Sequence, residues 1–172
     1  MTKSILYLGT DPSNFLSSKP VIHYPIIKIA ARKIPQAILD AMPQFTHVVF
    51  TSKNAVAIFF DQVAKSSIEK KVILAVGKVT GRKLTECGVN PTHIAKLEQQ
   101  EGIIALMDQL QLEDAYLLLP RSSLARGALE EYLVKRQIRY QICDLYDTVA
   151  QKIEPVPDLD AFQALKFLSV DY

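Results

Sequence analysis

The chain has 172 residues, 49% of them apolar and 22% charged, an ordinary globular composition that leaves no segment to read as a disordered tail. The 20 basic and 18 acidic side chains are interspersed and give a net charge of +2, which excludes the basic density of a nucleic-acid-binding protein. The length suits one complete domain, or one domain plus part of another, and excludes two full domains of about 120 residues each.

Met1-Thr2-Lys3-Ser4 runs straight into Ile5-Leu6-Tyr7-Leu8, too short an apolar stretch for a signal peptide. No run approaches the roughly 20 apolar residues of a membrane span, so a cytoplasmic protein with neither membrane nor nucleic-acid partner is expected. Cys87 and Cys143 lie far apart and match no metal spacing, and both read as reduced and structural.

Ile5 to Leu8 reads as a strand ending at Gly9-Thr10, followed by turn-rich residues from Asp11 to Pro20. Val21 to Ile29 is extended, because Pro25 fits neither a helix nor a central strand. Ile34, Ala37, Ile38 and Ala41 predict a short helix closed by Pro43. Strand Val48 to Phe50 then leads to a helix from Lys53 to about Ala64, and strand Val72 to Val76 to a helix from Gly77 to Gly88. A short strand near Thr92 to Ala95 precedes a helix carrying Ile103, Leu106, Met107 and Leu110 on one face. Strand Tyr116 to Leu119 ends in a turn at Pro120-Arg121-Ser122-Ser123, with Ala125, Ala128, Leu129 and Tyr132 inward on the next helix. Arg139 to Tyr146 is a further strand, Glu154 to Pro157 a linker, and Ala161, Ala164, Leu165 and Leu168 mark a last helix before a strand that starts at Val170. Repeated β-α units with continuous apolar strands predict an α/β fold, a flavodoxin-like parallel sheet with helices on both faces. Residues 158–172 then need to pack on Ile5 to Leu8 or on a partner, or be poorly ordered, since a lone β-α unit cannot bury its apolar face.

Ligands of open α/β sheets bind beyond the carboxyl ends of the strands. Three turns at that edge carry small polar residues with a cation: Thr51-Ser52-Lys53-Asn54, Gly77-Lys78-Val79-Thr80 and Arg121-Ser122-Ser123. Glu101-Gly102 opens another helix with free N–H groups. Together they suit several carboxylates or phosphates, although Ser52 also reads simply as a helix N-cap. No P-loop and no G-x-G-x-x-G is present, and His23, His47 and His93 are isolated. Tyr146, expected at a strand end just before the linker, reads either as a proton donor facing a cleft or as a tyrosine burying its ring at a domain edge.

Pro25-Ile26-Ile27, Phe50-Thr51-Ser52-Lys53-Asn54-Ala55-Val56, Ala75-Val76-Gly77-Lys78-Val79-Thr80, Glu101-Gly102 and Leu145-Tyr146-Asp147-Thr148, in this order, resemble uroporphyrinogen-III synthase over about residues 20–150. The resemblance implies two similar α/β domains, the second inserted into the first: residues 28–146 complete, residues 1–27 and 147–172 an incomplete first domain with linker strands. It also implies cofactor-independent cyclisation of hydroxymethylbilane to uroporphyrinogen III with inversion of the last ring, as part of heme biosynthesis. Thr51, Ser52, Asn54, Lys78 and Thr80 are then expected on substrate carboxylates, joined by Lys53, Gly102, Arg121 and Ser122 from the same rim. Tyr146 matches the family tyrosine thought to assist loss of the substrate hydroxyl. Gly9-Thr10-Asp11-Pro12 departs from the family's usual Thr-Arg-Pro, and the family's other domain, to which residues 147–172 belong, normally continues past the position of Tyr172. A tetrapyrrole- or anion-binding module without turnover, holding the carboxylates or else self-associating through residues 158–172, and an unrelated flavodoxin-like domain are the competing readings.

Overall fold

Apolar runs bounded by turn residues form the strands of the computed structural model, which describes residues 4–13 and 15–166. β1 (Ser4–Tyr7) and β2 (Val21–His23) pair in parallel, Ile5 opposite Val21 and Tyr7 opposite His23. Pro25 interrupts the extended stretch, so β3 (Ile27–Ala31) starts only beyond it. α1 (Gln36–Ala41) runs into a 3-10 turn at Met42–Gln44 that contains Pro43, where an early helical position makes no use of the missing N–H.

Strands and helices then alternate: β4 (His47–Phe50), α2 (Lys53–Phe60), β5 (Val72–Ala75), α3 (Gly77–Glu86), β6 (His93–Ile94), α4 (Gln100–Met107), β7 (Tyr116–Ser122), α5 (Ala128–Lys135) and β8 (Arg139–Ala150). The six-stranded sheet has the order β3-β8-β7-β4-β5-β6, and β8 to β6 are mutually parallel. Two crossovers step outward from β4 to β6, and the third returns past β5 and β4 to β7. Since such crossovers are right-handed, the reversal puts α2 and α3 on one face and α4 and α5 on the other. The expected class, a parallel sheet covered on both faces, is observed; counted from β4 its strands follow the order 3-2-1-4-5, five of the six strands of a doubly wound 3-2-1-4-5-6 sheet.

Both layers of the core follow from this arrangement. Val48, Val49 and Phe50 are consecutive and all fully buried, which requires cover on both sides of β4. Val49, Leu74, Val76, Leu117 and Leu119 cluster with Ile103, Met107, Leu129 and Leu133. On the opposite face Phe50 meets Phe59 of α2 edge-on, their ring centroids 5.3 Å apart. Each such side chain contributes about 1.5–3 kcal/mol by leaving water.

Three expectations are corrected. The turn expected at Pro120–Ser123 is instead the end of β7, which continues through Ser122. Proline is tolerated there because β4 pairs with β7 at Leu117 and Leu118, leaving β8 as the partner at Pro120. Tyr146 does not end its strand, since β8 runs on to Ala150. The helix expected after the linker is a strand, β9 (Phe162–Lys166), preceded by a 3-10 turn at Leu159–Ala161. It pairs in parallel with β1, Leu165 opposite Leu6, and Leu8 N–H reaches Lys166 O at 2.9 Å. An open backbone edge on β1 outweighs the weak helical spacing of the few apolar residues in this five-residue segment. Packing on the first strand was among the outcomes expected for residues 158–172; Leu168 and the strand expected from Val170 lie outside the described residues.

Residues 4–30 with 148–166 form one compact unit and residues 31–147 another. The chain passes from the first into the second along β3 and returns along β8. Among the described residues no helix is long and apolar enough to cross a membrane.

Leu117, fully buried in the middle of the sheet, tests the core directly. Leu117→Ala is expected to lower the unfolding free energy by about 2–5 kcal/mol in urea titration. Val134→Ala, at a side chain 64% exposed on α5, is expected to change it by about 0.5 kcal/mol at most.

Candidate active site at the strand ends

In a doubly wound sheet the crevice opens where the strand order reverses, outside the carboxyl ends of the strands. Here that point lies between β4 and β7, and both strands end in small hydroxyl residues: Thr51-Ser52 after Phe50, and Ser122-Ser123 at the end of β7. Ser52 is extended (φ −150°, ψ 152°) and caps α2, its Oγ accepting the Ala55 N–H at 3.1 Å. The same Oγ lies 2.9 Å from Tyr146 Oη. Ser52 is 2% exposed and Tyr146 0%, so both ends of this contact are shut off from water. The N-cap reading of Ser52 is therefore correct as far as it goes, and the phenol is a second partner.

A β-bulge sets the face on which the Tyr146 side chain lies. Arg121 stands opposite Asp144, yet Ser122 stands opposite Tyr146, so Leu145 is the extra residue of β8. A one-residue slip exchanges the faces of every following side chain. Ser123 N–H then donates to Tyr146 O at 3.0 Å, holding β8 in place just beyond the bulge. The next residue, Asp147, accepts Arg32 Nε and Nη2 at 2.7 and 2.6 Å and Ser123 Oγ at 2.6 Å. Its hydrogen bonds from Arg32 and then Ser123 hold the carboxyl below its usual range.

The remaining rim residues are dispersed. Thr51, Lys53 and Asn54 are half-buried beside Ser52. Beyond the neighbouring β5, Gly77 opens α3 with φ +72°, Lys78 is exposed and Thr80 is buried. A Cβ at Gly77 would fall 2.5 Å from Glu98 Cγ, so an acidic side chain passes over the first residue of α3. Gly102 donates its N–H to Gln99 O at 2.9 Å, and a Cβ there would fall 2.5 Å from Leu97 O. Close packing of α4 on the preceding loop thus accounts for that glycine. Arg121 lies between Asp144 Oδ1, at 3.1 Å, and Glu130, so its charge is matched inside the unit. Ser122 is 4% exposed and accepts Leu124 N–H at 3.2 Å.

Sequence reasoning did not single out Arg32, and it placed Ser123 in a rim turn and Asp147 in the Leu145–Thr148 match without giving either a partner; Arg32 and Asp147 are 115 residues apart, and their partnership left no local signal. Gln100 was missed as well. Buried at the start of α4, it donates to Arg126 O at 3.0 Å and accepts Leu129 N–H at 3.3 Å, tying together the openings of α4 and α5. Neither cysteine is in a disulfide, and burial, followed by the Asp144 charge, pushes the Cys143 thiol up to about 11, away from thiolate chemistry at neutral pH.

A family model described as uroporphyrinogen-III synthase HemD matches residues 19–171. The chain belongs to the uroporphyrinogen-III synthase family. The uroporphyrinogen-III synthase of Chlorobaculum parvum is 25% identical over 118 residues, which cover 65% of this chain and 47% of that protein. Among solved structures, a mutant uroporphyrinogen III synthase from the extremely thermophilic bacterium Thermus thermophilus superposes with a TM-score of 0.64 at 16% identity, over 87% of this chain and 64% of that one. The uroporphyrinogen-III synthetase of Helicobacter pylori gives 0.62 at 17% identity, over 89% and 65%. Both solved structures share the fold of this member of the uroporphyrinogen-III synthase family. The chain spans about half the length of its curated relative and under two thirds of the solved chains.

Two outcomes follow for the residues around the site. Gly102→Ala forces its new methyl against a backbone carbonyl and is expected to destabilise the protein by about 1–3 kcal/mol in thermal or urea unfolding. Asp147, with its folded pKa depressed below the ordinary 3.8, contributes stability that is fully present above that value and lost as pH falls through the depressed one. Asp147→Asn is expected to flatten the acid limb of a stability-against-pH curve there; an unaltered limb would show that Arg32 and Ser123 do not favour the carboxylate.

Proposed function

We propose that this chain carries the chemistry of its family, cyclising hydroxymethylbilane to uroporphyrinogen III with the last pyrrole ring inverted, without a cofactor. The observation that carries the proposal is the Ser52–Tyr146 pair at the sheet's switch point, 2.9 Å apart and excluded from water, in a chain whose family match spans residues 19–171. Tyr146 gives its phenolic proton to the departing substrate hydroxyl. A phenol remains protonated near neutral pH and is within the range of side chains that serve as general acids. The ring is fully buried, so this role requires the residues covering it to move aside as substrate enters.

Thr51, Lys53 and Asn54 after β4, and Lys78 and Thr80 after β5, are proposed to receive substrate carboxylates through backbone N–H groups, hydroxyls and the two ammonium groups. Arg121 is left out, because Asp144 and Glu130 already neutralise it. Residues 28–146 are read as the complete inserted domain, and 1–27 with 147–172 as part of the other. Much of the rate is assigned to holding the two chain ends of the substrate in a reactive conformation. The working environment is proposed to be the cytoplasm.

Incubation with hydroxymethylbilane, followed by chromatographic separation of the type I and type III isomers, tests this reading. A type III excess is expected, with Tyr146→Phe reducing it by about 10²-fold or more. Type I product alone, with tetrapyrrole binding still seen by calorimetry, would replace the enzyme with a binding module.

A further inference from the structure

We infer that Ser52 is a positioning residue that acts through Tyr146, presenting its hydroxyl proton to the phenol oxygen and stabilising the charge that oxygen acquires when it gives up its proton. The inference rests on the proposed role of Tyr146 for its catalytic meaning and on the geometry of the pair for everything else.

A serine hydroxyl has one donor and two acceptor positions. In Ser52 one acceptor position is taken by Ala55 N–H at 3.1 Å, and the phenol oxygen lies 2.9 Å away on a side closed to solvent. An ordinary capping serine leaves its remaining hydrogen bonds to water; this one is 2% exposed. The N-terminus of α2 carries a partial positive charge, and a hydroxyl accepting from it is polarised to donate onward. When the phenol gives its own proton to substrate, the Ser52 hydroxyl is the donor of the pair, and a chain of donors runs from Ala55 N–H through Ser52 Oγ–H to Tyr146 Oη. Burial alone would make the phenol a poorer acid, whereas a hydrogen bond to its ionised form makes it a better one.

In the proposed reaction the Tyr146 O–H bond breaks and its proton goes to the substrate hydroxyl. The C–O bond then breaks with its electron pair leaving on water. The phenolate left behind accepts the Ser52 hydrogen bond. It regains a proton when the pyrrole carbon that closes the macrocycle loses its own, so the net change is loss of one water molecule.

The test uses the whole chain with its tyrosines replaced biosynthetically by 3,5-difluorotyrosine, whose phenols titrate nearer neutrality. The Tyr146 signal is assigned by 19F NMR from its absence in Tyr146→Phe. Glycine is nearly as good an N-cap as serine but offers no hydroxyl. Ser52→Gly is therefore expected to fold and to raise the Tyr146 titration midpoint by about one pH unit or more, a tenfold loss of acidity. Ser52→Thr, which keeps the hydroxyl, is expected to leave it unchanged. In the synthase assay Ser52→Gly is expected to lower kcat with little change in KM.

Should Ser52→Gly fail to fold, Ser52→Asp caps the helix but offers the phenol only an acceptor, and it is expected to raise the midpoint further. An unmoved midpoint in the folded variant overturns the inference, whatever the activity. A raised midpoint in a chain that makes no type III isomer upholds the Ser52–Tyr146 coupling while removing the proposed function.

Discussion

The chain must reverse direction across its own sheet, and most of the architecture follows from that requirement. After β6 there is no further strand to add on the outer side among the described residues; α4 carries the chain back over β5 and β4, and β7 pairs on the far side of β4. Right-handed crossovers then allow only one assignment of helices to faces. The helices that follow β4 and β7 leave the sheet on opposite sides, which opens a crevice above the junction of those strands. Ser52 stands on one side of that junction and Ser122 with Ser123 on the other, while Tyr146 reaches in from β8. The polar cluster is a product of topology before it is a product of any single residue.

The parts of this arrangement that local chemistry dictates were legible in the sequence. Val48-Val49-Phe50 followed by Val56, Phe59 and Phe60 shows the change from strand to helix, and a serine at that change is a cap by its own hydrogen-bonding habit. The partnership of Ser52 with Tyr146 was not legible, because 94 residues separate them and neither has a local pattern that names the other. The ion pairs of Arg121 were hidden for a related reason. A cation at a strand end looks available to a ligand until the fold brings Asp144 and Glu130 beside it. Phe162–Lys166 failed differently, for its few apolar residues fit a helical period as well as an extended one, and the decision came from the open edge of β1.

The two kinds of glycine at the rim also separate structure from chemistry. Gly77 has a left-handed φ of +72° and Gly102 lies against the Leu97 carbonyl, so each is required by backbone geometry whether or not a ligand binds nearby. Their agreement with a family pattern reflects how helices begin on this sheet. The hydroxyl side chains are more informative, since a valine would suit the buried surroundings of Ser122 or Thr80 with less demand for partners.

The pairing of β1 with β9 has a consequence for how the protein is made. β4, β5, β6 and β7 find all their partners within residues 47–150, so most of the unit spanning residues 31–147 can assemble as soon as it leaves the ribosome, with β8 joining β7 on one side and the earlier-made β3 on the other. β1 is synthesised before that unit, yet its partner Phe162–Lys166 comes only after the whole unit has been made. At roughly 5–20 residues per second the wait is about 8 to 30 s. Throughout that interval β1 presents one unpaired edge, with Leu6 and Tyr7 without their final cover, and it is then that a passing chaperone or another nascent chain competes for it.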